Sequence, residues 1–98
     1  MSADCLEYTP RGLRELKAVP KPDRDRIRED LEHLRIGAMN LDVKPLTGRR
    51  GYYRLRRGDW RVVYKLDQNR EAQKQTISVV HVVNRKDFLR AVKNLAAA

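Results

Sequence analysis

The sequence is poor in the residues that build metal sites and disulfides. It contains one cysteine, Cys5, and two histidines, His33 and His81. A lone cysteine forms no internal disulfide, and these three residues lack the spacing of zinc ligands. We therefore expect no metal and no cofactor. His33 lies off the apolar stripe of a predicted helix and should face solvent, whereas His81 lies on an apolar strand, where a hydrogen-bonded structural role is the favoured interpretation.

Long apolar runs and catalytic sequence motifs are also missing. No stretch approaches the roughly 20 apolar residues of a membrane span, and the first ten residues lack the basic and apolar regions of a signal peptide. There is no GxGxxG motif, no P-loop and no nucleophile elbow. These absences predict a soluble, cytoplasmic protein without a membrane partner.

Positive charge is concentrated in one part of the chain. The net charge is +9, and residues 44–98 hold fourteen Lys and Arg but only four Asp and Glu. Residues 1–43 are nearly balanced, with eight basic and nine acidic residues. Such a field attracts polyanions, and RNA, DNA, the ribosome surface, an acidic protein and anionic lipid all satisfy this criterion.

A β-hairpin is the clearest structural prediction, and it lies within this basic region. Tyr52–Arg57 and Trp60–Leu66 both alternate with the period of a strand, and the intervening Gly58-Asp59 suits a tight turn with positive φ. If the sides bearing Tyr53 and Trp60 face the core, the opposite face carries four basic side chains. These are Arg54, Arg56, Arg61 and Lys65.

The other elements complete an α+β domain spanning residues 1–98. Periodicity and capping residues predict a strand at Cys5–Tyr8, a helix from Thr9-Pro10 to before Pro20, a helix at Asp23–Arg35, a strand at Thr76–Val83 and a final helix from Asp87 to about Leu95. Residues 37–51 and 67–74 should be loops. The order β-α-α-β-β-β-α predicts a mostly antiparallel four-stranded sheet, with an N-terminal helical hairpin packed on one face, a C-terminal helix, and the helices on one side.

Two interpretations of the basic hairpin face are open. Charged strand residues are commonly solvated and protect a sheet from edge pairing. Against this, Asp59 is the one acid among eight basic residues between Lys44 and Lys65, so these charges are not neutralised locally. Arginine makes forked contacts with phosphate, and Tyr52 or a neighbouring ring could stack on a base. The second interpretation predicts a surface that binds nucleic acid.

The motifs of the chain resemble the RelE/ParE superfamily of bacterial toxins from type II toxin–antitoxin systems. An early strand and helix pair precedes the matching segments, which are Lys44-Pro45-Leu46-Thr47-Gly48, Gly51-Tyr52-Tyr53-Arg54-Leu55-Arg56, Gly58-Asp59-Trp60-Arg61-Val62-Val63-Tyr64 and His81-Val82-Val83-Asn84-Arg85. The resemblance covers almost the whole chain and implies a RelE-like fold. Within the superfamily, the chain resembles RelE-like mRNA interferases more closely than ParE-like members. RelE-like members cut mRNA in the ribosomal A site, whereas ParE-like members poison DNA gyrase.

The resemblance also implies roles for individual residues. The positions that match the functional basic residues of RelE-like toxins, and hence the candidate catalytic residues, are Arg54, Arg56, Arg61 and Arg85. Candidate RNA-binding residues are Lys44, Arg49, Arg50, Tyr52, Lys65 and Phe88. The family often has a tyrosine after the last arginine, where this chain has Phe88, which could stack but has no hydroxyl. The proton acceptor for attack by a ribose 2′-OH is left open between Lys44, Lys65, His81 and a tyrosine.

The leading hypothesis is a toxin that acts as a ribosome-dependent, metal-independent mRNA endoribonuclease and inhibits translation. The alternatives are a ParE-like inhibitor of DNA gyrase that cuts no RNA, and an inactive antitoxin-binding regulator of its own operon. The partners implied are a cognate antitoxin, the ribosome and mRNA, with operator DNA contacted only through the antitoxin complex. An acidic or amphipathic antitoxin would cover the basic face or displace the last helix.

Overall fold

The chain forms one mixed β-sheet with helices on both of its faces. A computed structural model describes residues 3–95. The strands are β1 (Cys5–Tyr8), β2 (Val43–Pro45), β3 (Tyr52–Arg57), β4 (Trp60–Asn69) and β5 (Lys74–Asn84). The helices are α1 (Pro10–Ala18), α2 (Lys21–Arg35) and α3 (Phe88–Lys93), and a 3-10 turn at Arg85–Asp87 precedes α3. Within these described residues, no helix is long and apolar enough to cross a membrane. The predicted α+β class is confirmed.

The sheet has five strands in the order β1-β5-β4-β3-β2, not the four that we predicted. β1 runs parallel to β5, and the other neighbouring strands are antiparallel. The additional strand is β2, which lies inside the predicted loop 37–51. It has only three residues and includes a proline, so its sequence carries no alternation that could identify it. Pairing with β3 makes this segment a strand.

The predicted hairpin is confirmed. Arg57 pairs with Trp60 across the two-residue turn, and only Gly58 of the turn pair has a positive φ, at 57°. The β4–β5 ribbon is longer than expected because Asn69 still pairs with Lys74. The predicted connection 67–74 therefore shortens to a turn over residues 70–73, since polar side chains in solvent do not prevent backbone pairing.

A β-bulge in β5 explains why its apolar residues follow no simple alternation. Val63 pairs with His81 and Tyr64 pairs with Val79, so Val80 is an additional residue opposite β4. The bulge turns both Val79 and Val82 towards the same core, although they are three residues apart. One strand can thereby serve the main core and still place His81 on the opposite face.

Helices α1 and α2 cover the first face of the sheet. The Thr9 hydroxyl accepts a hydrogen bond from the Gly12 amide at 3.0 Å, as the predicted cap requires. α2 begins at Lys21, two residues earlier than predicted, because Pro22 is compatible with a first helical turn. Side chains from both helices and from three strands form the buried core. Its largest fully buried side chains are Leu16, Ile27, Leu31, Leu55, Val62 and Val79.

Helix α3 lies on the opposite face of the sheet, so the expectation that all helices lie on one side is wrong. Phe88 and Val92 line a groove together with Arg54, and Ala91 lines another groove with His81. Arg54 and His81 both alternate away from the core formed with α1 and α2. Because β5 is apolar on both faces, the second face also needs cover, and α3 provides it.

Helix α3 begins directly after Asp87, close to the predicted start, but the capping hydrogen bond differs from the prediction. Asn84, not Asp87, caps this segment, since its side-chain oxygen accepts a hydrogen bond from the Lys86 amide at 3.2 Å. Asp87 makes no capping hydrogen bond through its side chain. The 3-10 turn that follows Asn84 carries Arg85 past the end of β5, towards the hairpin turn.

Candidate nucleic-acid interface

Strand register brings three of the four predicted arginines to one face of the β3–β4 hairpin. Arg56 pairs directly with Arg61 across the two strands, and Arg54 lies two residues before Arg56 on the same face. The fourth, Arg85, follows β5, and its amide donates a 2.7 Å hydrogen bond to the carbonyl of Asp59 in the hairpin turn. We call Arg54, Arg56, Arg61 and Arg85 the arginine cluster.

Arg61 lies at the electrostatic centre of this cluster. Burial of its guanidinium lowers the pKa of Arg61, and three positive neighbours lower this pKa further. In decreasing order of effect, these neighbours are Arg56, Arg54 and Arg85. The Arg61 side chain is held in place by hydrogen bonds of 2.8 and 3.0 Å that Nη1 donates to the carbonyls of Gly58 and Trp60. The cluster is therefore a set of like charges that repel one another.

Two carboxylates lie beside the cluster and neutralise it only in part. Asp42 contacts both Arg54, at 3.2 Å, and Arg56, at 3.1 Å. Asp59 lies 3.6 Å from Arg85. Arg54 is 13% exposed, whereas Arg56 and Arg85 are 55% and 69% exposed. Four cations and two anions leave an excess of positive charge at a surface that solvent and ligands can reach.

The structure brings Lys44 and Phe88 close to this surface. Lys44 is exposed and pairs across β2 and β3 with Arg54. Lys44 and Phe88 both line an apolar groove of about 320 Å³ between α3 and the β2–β3 loop, and Arg54 lies at the same groove. Arg49 and Arg50 belong to that loop but make no described contact with the arginine cluster. Among the described residues, nothing bonds to the buried Nε of Arg49.

Tyr52 and Lys65 pair on the arginine face, but they are poorly placed for base stacking. Tyr52 is only 8% exposed. The Lys65 ammonium lies 5.7 Å from the centroid of the Tyr52 ring and 3.7 Å from Asp67. The ring is therefore covered by its own chain, so Tyr52 offers no open face to a base. Lys65 remains half-exposed at the edge of the surface.

The candidate proton acceptors differ in accessibility. His81 is buried, and its Nδ1 lies 3.1 Å from a carboxylate oxygen of Glu15, which also accepts a hydrogen bond from the Val82 amide. This is the structural role that the sequence favoured for His81. Tyr64 faces the main core, where burial raises its pKa to about 12. Lys44 and Lys65 remain as accessible candidates on the arginine face.

Sequence reasoning missed Asp42 and Glu15. Asp42 lies in the segment predicted as a loop, and the pairing of β2 with β3 brings it to the arginines. Glu15 reaches β5 because α1 packs along the strand beyond the end of β1. The one sequence signal for Asp42 is its position just before the basic segment 44–65, where a nearby acid can form ion pairs. No local pattern identifies either contact.

Known proteins with the same architecture identify the family. The model of the family "ParE toxin of type II toxin-antitoxin system, parDE" matches residues 6–88. The structure of the RelB-RelE complex from Methanococcus jannaschii contains a chain that is 26% identical, with a TM-score of 0.66, covering 87% of this chain and 96% of that one. A chain of the RelE-RelB complex from Pyrococcus horikoshii is also 26% identical, with a TM-score of 0.60 and coverages of 87% and 97%.

A third structure shares the fold. A chain of the RelBE2 toxin-antitoxin complex from Mycobacterium tuberculosis is 24% identical, with a TM-score of 0.64 and coverages of 89% and 97%. None of the curated proteins matches the chain in sequence. The family match extends over most of the elements that build the sheet and the arginine cluster. This chain belongs to the ParE toxin family of type II toxin–antitoxin systems, within the RelE/ParE superfamily.

Proposed function

We propose that this toxin is a ribosome-dependent mRNA endoribonuclease that inhibits translation. The observation that carries the proposal is the arginine cluster itself, in which Arg56 pairs directly with Arg61, and in which burial and then three neighbouring positive charges lower the pKa of Arg61. Such repulsion is unfavourable in the isolated protein and is relieved by a polyanion. A sugar-phosphate chain supplies anionic groups at a spacing that several guanidinium groups can contact at once.

The chemistry that suits this surface is attack by a ribose 2′-OH on the adjacent phosphorus. The 2′-oxygen forms a bond to phosphorus while the bond to the 5′-oxygen breaks, which produces a 2′,3′-cyclic phosphate and a 5′-hydroxyl. Arg56, Arg61 and Arg85 would stabilise the additional negative charge on the phosphoryl oxygens. An acceptor must take the 2′ proton and a donor must protonate the leaving 5′-oxygen.

Arginine is a poor proton acceptor because it stays protonated at neutral pH. Of the four acceptors considered, His81 is buried, and so are Tyr52 on the arginine face and Tyr64 in the core, which favours Lys44 or Lys65. Both ammonium groups would need to lose a proton first, so precise alignment of the RNA by the ribosome would have to supply a large part of the rate. This requirement supports cleavage that depends on the ribosome.

A second candidate is inhibition of DNA gyrase without RNA cleavage. The family model that matches the chain describes a ParE toxin. In addition, Phe88 has no hydroxyl with which to take part in proton transfer, and Asp42 holds Arg54 in a largely buried position. On this alternative, the cationic surface would bind an acidic region of the enzyme or its DNA.

The two candidates are separated by adding the purified toxin to a reconstituted translation system and mapping mRNA ends by primer extension. The nuclease proposal predicts cuts in phase with codons, only on translated messages, and their loss in Arg61→Gln but not in Arg70→Gln. Intact mRNA together with blocked supercoiling by gyrase would favour the second candidate. Normal growth after expression without antitoxin would instead favour an inactive regulator.

The similar structures are toxin–antitoxin complexes, so the family and these structures support a cognate antitoxin as partner. We propose that an acidic segment of the antitoxin covers the arginine cluster. Contact of the complex with operator DNA would then depend on the antitoxin, because the basic surface of the toxin would be occupied. Arg56→Glu should weaken antitoxin binding more than Arg70→Glu, as measured by isothermal titration calorimetry.

A further inference from the structure

The carboxylate of Asp42 occupies a fork between two arginines. Its Oδ1 lies 3.2 Å from Nη1 of Arg54, and its Oδ2 lies 3.1 Å from Nε of Arg56. The two arginines are two residues apart on one face of β3, so both side chains reach the same small group. One anion with two oxygens therefore bridges two guanidinium groups.

A phosphodiester would meet the same requirements. It also carries one negative charge and two non-bridging oxygens, and arginine forks bind phosphate and carboxylate with similar geometry. We propose that Asp42 is a tethered substitute for an RNA phosphate, which a phosphate of the bound RNA displaces from the fork of Arg54 and Arg56. This inference rests on the proposed RNA-binding role of the arginine cluster and specifies how its resting state is held.

The local structure permits this exchange without unfolding. The Asp42 carbonyl accepts a 2.9 Å hydrogen bond from the Arg56 amide and a 3.4 Å hydrogen bond from Nη1 of Arg54. The backbone of Asp42 is thus held to β3, while its side chain is 42% exposed and can rotate into solvent once its two ion pairs are broken. The pair with Arg56 is about half-exposed on both sides and contributes little stability, so a competing anion can replace the carboxylate there first.

The exchange has a consequence for selectivity. When one phosphate displaces one carboxylate, the net charge at the fork is unchanged. An isolated phosphate therefore binds the fork with little gain in free energy. A ligand binds well only if it also contacts Arg61 and Arg85, which have no equivalent fork partner among the described residues. Asp42 would therefore reduce binding of isolated phosphates and favour an extended polyanion.

The test compares Asp42→Asn with a matched control, Asp25→Asn. Both variants remove one exposed negative charge, but Asp25 lies on α2, pairs with Lys21 and contacts neither arginine of the fork. Affinity for a fluorescently labelled, single-stranded 12-nucleotide RNA is measured by anisotropy with the full 98-residue chain. We expect Asp42→Asn to bind roughly tenfold tighter, and its slope of log affinity against log salt to steepen by about 0.7, the value for one additional phosphate contact. Asp25→Asn should change affinity less than threefold.

A second measurement shows whether the effect passes through the fork. In an Arg56→Gln background, the gain from Asp42→Asn should fall below about threefold, since one half of the fork is gone. If Asp42→Asn binds RNA no better than Asp25→Asn, or if its gain is unchanged without Arg56, the inference is wrong. Thermal unfolding of each variant confirms that it is folded before binding is compared.

Binding and cleavage are measured separately, so the two proposals can fail independently. If Asp42→Asn binds RNA more tightly but the toxin cuts no translated mRNA, the proposed role of Asp42 is supported and the proposed nuclease activity is wrong. If the wild type cuts mRNA in phase with codons but Asp42→Asn binds RNA no more tightly, the proposed nuclease activity is supported and the proposed role of Asp42 is wrong.

Discussion

The guanidinium of Arg57 binds the carboxylate of Asp30 through two hydrogen bonds of 2.6 Å each. Asp30 lies on α2 and its side chain is 4% exposed, whereas Arg57 ends β3 and is 45% exposed. Hydrogen bonding to Asp30 raises the pKa of Arg57. A second contact joins α2 to the other strand of the hairpin, because the indole of Trp60, at the start of β4, donates a 3.0 Å hydrogen bond to Asp23. Helix α2 is thereby fixed to the hairpin that carries Arg54, Arg56 and Arg61 on its opposite face.

Loss of Arg57 should destabilise the fold. Arg57→Met leaves the Asp30 carboxylate buried without its partner, and we expect the free energy of unfolding to fall by about 2 kcal/mol, below the range for fully buried pairs because Arg57 is half-exposed. Lys21→Met removes an exposed pair with Asp25 and should leave the free energy of unfolding nearly unchanged. Urea unfolding followed by the fluorescence of Trp60, the only tryptophan, measures both. Equal stabilities for the two variants would contradict this account of the pair.

Gly12 is expected to tolerate no side chain, although it lies in helix α1. A Cβ at this position would lie 2.4 Å from the carbonyl oxygen of Val79, which is backbone and cannot move away cheaply. Alanine usually stabilises a helix interior by roughly 0.5–1 kcal/mol relative to glycine. We expect Gly12→Ala to destabilise the protein by about 2 kcal/mol instead, because α1 must separate from β5. Thermal unfolding gives the sign, and a stabilised variant would refute the close approach.

Removal of Arg61 should separate function from stability. Arg61→Gln loses two hydrogen bonds to backbone carbonyls but relieves repulsion within the arginine cluster, so these effects offset each other. We expect the melting temperature to change by less than about 3 °C, while the rate of the proposed mRNA cleavage falls at least about 100-fold through loss of charge stabilisation. Arg70→Gln, in the exposed β4–β5 turn, serves as the control. A parallel loss of stability and activity would indicate a structural role for Arg61.

Tyr64 should make the fold sensitive to alkaline pH. Burial raises its pKa to about 12, and charge repulsion from the hydroxyl of Tyr53, whose ring stacks on Tyr64 with centroids 5.5 Å apart, adds to the shift. Above pH 10 the unfolded chain loses this proton while the folded chain keeps it, so the contribution is complete below pH 10 and is lost as pH rises towards 12.

Between pH 9 and 11.5, the wild type should lose roughly 2 kcal/mol more stability than Tyr64→Phe. Tyr8, whose pKa burial also raises, is present in both proteins, so their difference isolates Tyr64. Urea unfolding at several pH values measures it. Identical pH dependence in the two proteins would show that the Tyr64 hydroxyl ionises as freely in the folded state as in the unfolded chain.

The sequence alone determined the local features of this toxin. Alternation identified both strands of the hairpin and the face that carries Arg54, Arg56 and Arg61, because side-chain direction in a strand depends only on position along the chain. Thr9 and Pro10 identified the start of α1 for a similar reason, since capping bonds join neighbouring residues.

Only the tertiary structure decided features that depend on contacts between distant residues. The strand β2 exists through its pairing with β3, α3 lies on the second face because β5 is apolar on both faces, and Tyr52 is covered by Lys65. Asp42 reaches the arginines for the same reason, twelve residues before Arg54 in the chain but beside it in space. The composition of the sequence gives the number of basic residues that are available to pair with Asp42. The pairing of β2 with β3 decides which of these residues lie next to it.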